Sequence, residues 1–239
     1  RQVGEWIKNP DLARTLTRIA EDGAESFYHG EIADEIAKDM AANGALLSIH
    51  DLNNYQTQRA TPLRGSYRGY DIATNNPPGG GIMLIEMLNM LEHFELAELG
   101  HNSSEYLRIV SEVMKRATHD KDTFVGDPNF FDVPVARLTD KDYAGTLAKA
   151  IKAGEIAEVT RFTGAPEPKD TTHVSVVDEA GNAVTMTHSL GMPSGVISPG
   201  LGFMYNGCMG VFDPRPGNAD SIAPGKSRFS SLCPTIISR

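Results

Sequence analysis

The sequence predicts an α+β fold, because helical patterns fill its first two thirds and strand patterns fill the remainder. Apolar residues recur at three- and four-residue spacing up to about residue 151, whereas polar and apolar residues alternate from residue 173 onward. Helices that precede strands, instead of alternating with them, favour antiparallel layers over a parallel βαβ sheet. The 239 residues, 40% of them hydrophobic, are enough for a substantial core.

The helices are predicted from caps and periodicity. Asn9 is a typical N-cap, Pro10 suits the first helical position, and Gly23 is a typical stop. The apolar face of this first helix is predicted to hold Leu12, Leu16 and Ile19. Further helices are predicted over residues 30–43, 48–55, 82–94, 103–119 and 139–151.

The strands are predicted from alternation and turn residues. Residues 62–73 (PLRGSYRGYDIA) have the pattern of a hairpin, and residues 75–81 (NNPPGGG) form a loop that leads into a helix. HVSVVD at 173–178 and AVTMTHS at 183–189 read as two strands joined by a tight turn. Gly and Pro then recur every few residues, which indicates short strands separated by loops.

Charge and composition exclude several classes of function. The formal net charge of −9 and the absence of a Lys or Arg run disfavour nucleic acid as a partner. Cys208 and Cys233 lack metal-ligand spacing, so no metal is expected. The longest apolar stretch, residues 79–91, is shorter than the roughly 20 residues that span a bilayer. A start at Arg1 and an end within an apolar phrase suggest that both ends are cuts through a longer protein.

One stretch combines side chains that could carry chemistry. Thr171, Thr172 and His173 stand where a proline-containing loop, GAPEPKD, enters a strand. Taken alone, this pattern has an ordinary structural explanation, because threonine favours strands and most histidines are not catalytic. These residues by themselves therefore do not establish an active site.

A longer series of motifs resembles the γ-glutamyltranspeptidase family of N-terminal nucleophile hydrolases. The series comprises NPDLARTL, FYHGEIADEIAKDM, PLRGSYRGYDI, NNPPGGG, GDPNFFDVP, TTHVSVVDEAGNAV, GVISPGLGF and RFSSLCPTI. The resemblance runs essentially from end to end and implies a four-layer αββα sandwich, here truncated at both ends. Residues 1–170 would be the later part of the family's large subunit and residues 171–239 the beginning of its small subunit, both within one structural domain.

The resemblance also implies how the site works. The chain would cleave itself between Asp170 and Thr171, so that the Thr171 hydroxyl becomes the nucleophile and its freed α-amine the general base. Ser189 stands where the family has a threonine that contacts the nucleophile. Ser230 and Ser231 match a serine pair that binds the substrate's α-carboxylate. Thr172 and His173 are expected to support the strand, and no cofactor or metal is required.

Three positions depart from the family pattern. Gly191 stands where an asparagine is expected, and Cys208 and Val211 align with a glutamine and an aspartate that hold the substrate's α-amino group. Neither glycine nor valine has a side chain that can pair with an ammonium, and an unpaired buried charge costs several kcal/mol. Asp213 could replace part of the missing acid. Cys208 is expected to be a pocket wall rather than a nucleophile.

The expected function is hydrolysis or transfer of γ-glutamyl amides such as glutathione, with water, an amino acid or a peptide as acceptor. The large and small chains would remain associated after cleavage. One alternative is a same-family acylase for a glutaryl or oxamate-type amide. Another is an inactive, uncleaved binding homologue. The resemblance suggests a periplasmic or secreted protein, although the residues themselves leave the compartment open.

Overall fold

Half of the described α-helices begin just after a residue whose side chain caps them, and Asn9 is the cap that the sequence predicts. The computed structural model describes residues 2–159 and 171–239. The described helices are α1 (Pro10–Asp22), α2 (Glu25–Tyr28), α3 (Glu31–Ala42), α4 (Ile49–Asn54), α5 (Gly81–Leu91), α6 (Ser104–Phe124), α7 (Val135–Leu138) and α8 (Lys141–Lys152). The strands are β1 (Leu63–Tyr67), β2 (Tyr70–Thr74), β3 (Thr171–Val177), β4 (Ala183–Ser189), β5 (Pro193–Ile197), β6 (Met204–Asn206) and β7 (Thr235–Ser238).

The chain packs as two units, of which the first comprises Arg1–Arg59 and Leu190–Gly207. Its core lies between α3, α4 and the loop before β6, and consists of Ile32, Ala33, Ile36, Met40, Leu52 and Leu201. Strands β5 and β6 pair antiparallel. The Asn9 carboxamide caps α1 by accepting from the Leu12 N–H at 3.1 Å, and it also donates to the Gly202 carbonyl at 2.7 Å. This side chain therefore joins the helix start to the loop between β5 and β6.

The prediction of which α1 residues face the core is wrong at one position. Leu16 is 56% exposed, whereas Thr15 is only 2% exposed. The Thr15 hydroxyl donates to the Leu201 carbonyl at 2.9 Å. Apolar spacing allows the helix to turn either residue inward, and this hydrogen bond to a distant loop selects Thr15.

The second unit comprises Ala60–Ser189 and Cys208–Arg239. Its three-stranded antiparallel sheet has the order β1-β2-β7. Arg68 and Gly69, both at positive φ, form the two-residue turn of the predicted β1–β2 hairpin. Strands β3 and β4 form a separate antiparallel ribbon. The α+β class is thus realised with antiparallel sheets throughout the described residues.

Helices α5, α6 and α8 enclose the largest core of this unit. Its buried residues are Met90, Phe94, Ile109, Val113, Ala117, Ala144, Ala148 and Ile151. Helix α6 continues to Phe124, beyond its predicted end at His119, because no helix-breaking residue stands before Gly126 and buried contacts of Asp120 favour its last turn. The one-turn helices α2 and α7 were not predicted, since neither has a side-chain cap.

A buried pair of carboxyl groups joins α5 to α6. Glu86 is 1% exposed and Asp120 5% exposed, and the Asp120 carboxyl group lies beside that of Glu86. The Tyr143 hydroxyl of α8 donates to Asp120 Oδ2 at 2.5 Å. Burial, and then the neighbouring Asp120 carboxylate, raise the pKa of Glu86 to about 9, against a smaller opposing effect of Arg137. Glu86 is therefore protonated in the folded protein at neutral pH.

We expect Glu86→Gln to flatten the pH dependence of stability. The pKa of Glu86 lies near 4.5 in the unfolded chain and near 9 in the folded protein, so its contribution is fully present below about pH 4.5 and is lost as pH rises toward 9. The slope from this one group is at most about 1.4 kcal/mol per pH unit. Urea unfolding of wild type and Glu86→Gln between pH 5 and 9 measures it. The exposed Glu98→Gln is the matched control, and equal slopes in wild type and Glu86→Gln would contradict the assignment.

No helix in residues 2–159 or 171–239 is long and apolar enough to cross a membrane. Within the same residues, no group of three or more His, Cys, Asp or Glu side chains is placed to hold a metal ion.

Candidate active site

The β3–β4 ribbon brings Thr171 and Ser189 together. Thr171 is the first residue of β3 and Ser189 the last of β4, and the antiparallel register places them opposite each other. Thr171 Oγ1 lies 3.0 Å from Ser189 Oγ, within hydrogen-bond distance. Thr171 is exposed and Ser189 is half-buried. The predicted nucleophile and its predicted supporting hydroxyl are therefore direct neighbours at one end of the ribbon.

A row of hydroxyl groups continues along the same face of the ribbon. Side chains two residues apart in a strand share a face, so His173 and Ser175 follow Thr171 on β3. Nδ1 of His173 lies 2.9 Å from the Thr187 hydroxyl, and Nε2 lies 3.0 Å from the Thr185 hydroxyl and 3.1 Å from the Ser175 hydroxyl. The imidazole is thus held by three hydroxyls next to the Thr171–Ser189 pair.

The hydroxyls of Ser175, Thr185 and Thr187 were not singled out from the sequence. The signal that could have found them is the alternation Thr-x-Thr-x-Ser at 185–189 opposite Thr-x-His-x-Ser at 171–175. The other face of the ribbon is largely apolar, with Val174, Val176, Val184 and Met186 exposed. Polar and apolar faces are therefore separated by strand alternation, and Thr171 lies on the polar one.

The predicted cleavage partner, Asp170, lies outside the described residues. Residue 171 is the first described residue after residue 159. The peptide bond between 170 and 171 accordingly lies outside the described residues.

Ser230 and Ser231 lie on a loop that follows Phe229. The Ser230 N–H donates to the Pro78 carbonyl at 2.8 Å, and its hydroxyl accepts from the Leu232 N–H at 3.4 Å. Ser230 is half-buried, whereas Ser231 is exposed. The loop leads into β7, and β7 lies beside β4, the strand that ends at Ser189.

The three departing positions occupy turns. Gly191 follows β4 at a φ of 63°, a conformation that glycine adopts without strain. Cys208 and Val211 are the first and last residues of a short 3₁₀ helix, Cys208 half-buried and Val211 38% exposed. Gly191 belongs to the first unit, and the other two belong to the second. None of the three supplies a carboxylate for an ammonium group.

Asp213 is already paired with a cation. Its Oδ1 accepts from Arg215 Nε at 2.9 Å and its Oδ2 from Arg215 Nη2 at 2.7 Å, a bidentate ion pair. Asn218 Nδ2 adds a further hydrogen bond to Oδ2 at 2.8 Å. The Arg215 contacts, followed by Asn218, hold the pKa of Asp213 well below its ordinary range. Its negative charge is therefore already paired with the Arg215 guanidinium, which lies at the surface.

Known proteins resemble this chain over its whole length. At 37% identity over 254 residues, "Glutathione hydrolase proenzyme" of Pseudomonas sp. (strain A14) matches 100% of the chain and 44% of its own length. "Acylase ACY 1 proenzyme" of Pseudomonas sp. (strain V22) is 40% identical over 238 residues, covering 98% of the chain and 43% of its own length. The chain thus spans less than half the length of these relatives.

A solved structure and a family model agree with these matches. The crystal structure of cephalosporin acylase from Bacillus halodurans superimposes with a TM-score of 0.84 at 30% identity, over 100% of this chain and 43% of the other. This similarity confirms the predicted α+β N-terminal nucleophile hydrolase fold. The sequence model "Gamma-glutamyltranspeptidase" matches residues 1–239. The chain therefore belongs to the γ-glutamyltranspeptidase family.

Proposed function

We propose that this chain carries the nucleophile of a self-cleaving threonine amidase, which hydrolyses or transfers γ-glutamyl amides such as glutathione. The observation that carries the proposal is the Thr171–Ser189 hydroxyl pair, 3.0 Å apart at the exposed start of β3. Relatives called glutathione hydrolase proenzyme support the reaction class. The word proenzyme in their names is consistent with a chain that must be cut before it acts.

The cut creates the catalytic group. In the precursor, the Thr171 hydroxyl attacks the Asp170 carbonyl carbon, and an ester replaces the peptide bond. Water then opens the ester, which leaves a carboxylate on Asp170 and a free α-amine on Thr171. An α-amine has an unperturbed pKa of about 8, so it can accept a proton near neutral pH. This chemistry uses only groups of the chain and one water molecule.

Catalysis then proceeds through an acyl-threonine ester. The α-amine accepts the Thr171 hydroxyl proton while the oxygen attacks the substrate carbonyl. The C–N bond breaks as the leaving amine takes that proton, and water or an acceptor amine later attacks the ester. Ser189 is placed to hydrogen-bond the nucleophilic oxygen and orient it. Serine has the same hydroxyl as threonine but no β-branch, so its χ1 angle is less restricted. Ser189 therefore keeps the contact with a looser rotamer than a threonine would have.

Ser230 and Ser231 are proposed to bind the carboxylate of the acyl group. Hydroxyl groups donate well to carboxylates, and a charge-assisted hydrogen bond is stronger than a neutral one. The exposure of Ser231 and the position of this loop before β7, which lies beside β4, are compatible with that role. Gly191, Cys208 and Val211 are the further substrate-binding positions that the family resemblance assigns.

An acylase for amides that lack the α-amino group is the second candidate. The observation that favours it is the Asp213–Arg215 ion pair, since a carboxylate already bound to a guanidinium is a poor partner for a substrate ammonium. Val211 and Gly191 offer no replacement. The relative called Acylase ACY 1 proenzyme is consistent with this candidate.

We propose that the two chains stay associated after cleavage. Residues 1–170 would belong to the large chain and residues 171–239 to the small chain. Strand β7 of the small chain pairs with β2 of the large chain through Asp71↔Ser238 to Thr74↔Thr235. Separating the chains would therefore break the sheet that β2 and β7 share. Each of the two packing units also contains residues from both sides of residue 170, which supports the same conclusion.

N-terminal sequencing of the purified protein tests the proposed function. The protein expressed from its complete reading frame should separate into two chains on denaturing electrophoresis, with the smaller one beginning at Thr171. A small chain that begins at another residue would place the nucleophile elsewhere. A protein that stays one polypeptide and hydrolyses no amide would support the inactive binding homologue instead.

A further inference from the structure

The loop with Ser230 and Ser231 is held at both ends by side chains from far earlier in the chain. We propose that Asn75 and Asp127 are positioning residues, which fix the main chain of residues 227–232 so that the two serine hydroxyls meet the substrate carboxylate. We call residues 227–232 the serine loop. This inference rests on the proposed function, and it assigns Asn75, the first residue of the loop NNPPGGG, an indirect role in substrate recognition.

Asn75 holds the exit of the serine loop. Its Nδ2 donates to the Leu232 carbonyl at 2.9 Å, and its Oδ1 accepts from the Gly81 N–H at 3.0 Å. The Gly80 N–H donates to the same Leu232 carbonyl at 3.1 Å. Because both ends of the carboxamide are engaged, its orientation is set, and it can support Leu232 in one position only.

The middle of the serine loop lies directly against glycine backbone. The Ser230 N–H donates to the Pro78 carbonyl at 2.8 Å, and Gly79 and Ser230 form a parallel bridge. A Cβ atom on Gly80 would lie 2.6 Å from the Ser231 carbonyl oxygen, which is closer than real Cβ contacts allow. The absence of a side chain at Gly80 therefore sets how closely the serine pair approaches the large-chain loop.

Asp127 holds the entrance of the serine loop. Its carboxylate is 1% exposed, and Oδ2 accepts from the Ser227 N–H at 2.7 Å. Its Oδ1 accepts from the N–H and the carboxamide of Asn129 at 2.9 and 3.0 Å. Two residues further along the loop, the Phe229 N–H donates to Asp220 Oδ1 at 2.8 Å. The Asp127 carboxylate can keep its bond to Ser227 only while the serine loop stays in this position. Displacing the loop would leave a buried acceptor without this partner, which costs free energy.

These contacts fix the backbone of the serine loop and leave its hydroxyl groups for recognition. The second unit itself binds main-chain groups at four positions of the serine loop, namely Ser227, Phe229, Ser230 and Leu232. Ser231 is exposed, and the Ser230 hydroxyl accepts a hydrogen bond, a role that is compatible with donating to a carboxylate. A displacement of about 1 Å at such a site can cost a large part of the binding contribution.

We call the hydrogen bonds of the Asn75 carboxamide to Leu232 and Gly81 the clamp. Asn75→Asp is the sharpest test, because it changes one heavy atom of this clamp. The variant keeps an oxygen for the Gly81 N–H but turns a second oxygen toward the Leu232 carbonyl, where two acceptors repel each other. Asn76→Asp is the matched control. It makes the same change in the same loop, at a side chain that donates to the Thr61 carbonyl.

The readout compares two acyl groups that differ only in the carboxylate. Glutaryl and butyryl anilides form one such pair, and γ-glutamyl and 4-aminobutyryl anilides form the other. For each pair, the ratio is kcat/KM for the anilide with the carboxylate divided by kcat/KM for the anilide without it. In the pair that the self-cleaved wild-type enzyme prefers, we expect Asn75→Asp to lower this ratio by about ten-fold or more, mainly through KM. Asn76→Asp should leave the ratio within about two-fold.

Amide hydrogen exchange of residues 227–232 in the complete protein gives an independent readout. Exchange should be faster in Asn75→Asp than in Asn76→Asp, because the Ser230 N–H depends on the clamp. If Asn75→Asp does not fold, Asn75→Ala removes the donor without adding charge, and the ratio should fall in the same direction. Equal losses on both anilides, with the ratio unchanged, would overturn the positioning role.

The failure of the proposed function has a different signature. If wild type shows neither a chain beginning at Thr171 nor amide hydrolysis, the amidase proposal fails. Amide hydrogen exchange is then the measurement that tests whether Asn75 holds the serine loop. Faster exchange at residues 227–232 in the Asn75 variant then supports the clamp, and unchanged exchange overturns it.

Discussion

Thr171→Ala is expected to abolish both self-cleavage and amide hydrolysis. In the proposed mechanism, the Thr171 hydroxyl attacks Asp170 in the precursor and later attacks the substrate, so both reactions would lose their nucleophile. When the two chains are co-expressed already separated, with alanine as the first residue of the small chain, kcat/KM should still fall on the order of 10⁴-fold or more. Electrophoresis measures the first effect and an anilide assay the second. Full activity in the co-expressed halves would show that the nucleophile lies elsewhere.

Two neighbouring substitutions serve as controls for this result. Thr172→Ala makes the same change one residue along β3, where alternation places the side chain on the opposite face from Ser189. It should keep self-cleavage and most of the activity. Ser189→Ala removes one hydrogen bond to the nucleophile, typically worth ~1 kcal/mol or somewhat more, and should lower kcat/KM about ten-fold. A complete loss in Thr172→Ala would contradict the assignment of the two faces.

The second large effect concerns the acyl group. We expect the self-cleaved enzyme to accept glutaryl anilide nearly as well as γ-glutamyl anilide, because Gly191 and Val211 supply no partner for the α-ammonium and Asp213 is bound to Arg215. A charge-assisted hydrogen bond contributes roughly 1.5–3 kcal/mol, so its loss shifts relative kcat/KM by about ten- to a hundred-fold. Parallel measurement of kcat/KM for the two anilides tests this expectation.

Val211→Asp provides the converse experiment. It restores a carboxylate at the position where the family resemblance places one, and should raise the preference for γ-glutamyl over glutaryl anilide about ten-fold. Val211→Asn has a similar shape without the charge and is the control. A wild-type preference of a hundred-fold or more for the γ-glutamyl anilide would mean that another group holds the amine and that the ordinary γ-glutamyl specificity stands.

Local sequence signals predicted most of the helices and the two hairpins. Asn9, Ser48, Ser103 and Asp140 cap helices because each side chain accepts a hydrogen bond from the backbone N–H three residues ahead. Alternation likewise placed β3 and β4, with the connecting turn closed by Asp178 and Asn182. Such signals lie within a few residues of each other, so a single sequence contains them in full. The long series of family motifs added the candidate nucleophile, Thr171.

Contacts between distant segments required the tertiary structure. The sequence by itself determined the α+β class, the family and the candidate nucleophile. The structure decided that Thr15 rather than Leu16 faces Leu201 and that Thr171 meets Ser189 across a strand pair. It also decided that Asn75 holds Leu232, 157 residues away along the chain. The physical reason is that hydrogen bonds between remote segments depend on how the core packs, which local periodicity and capping do not encode.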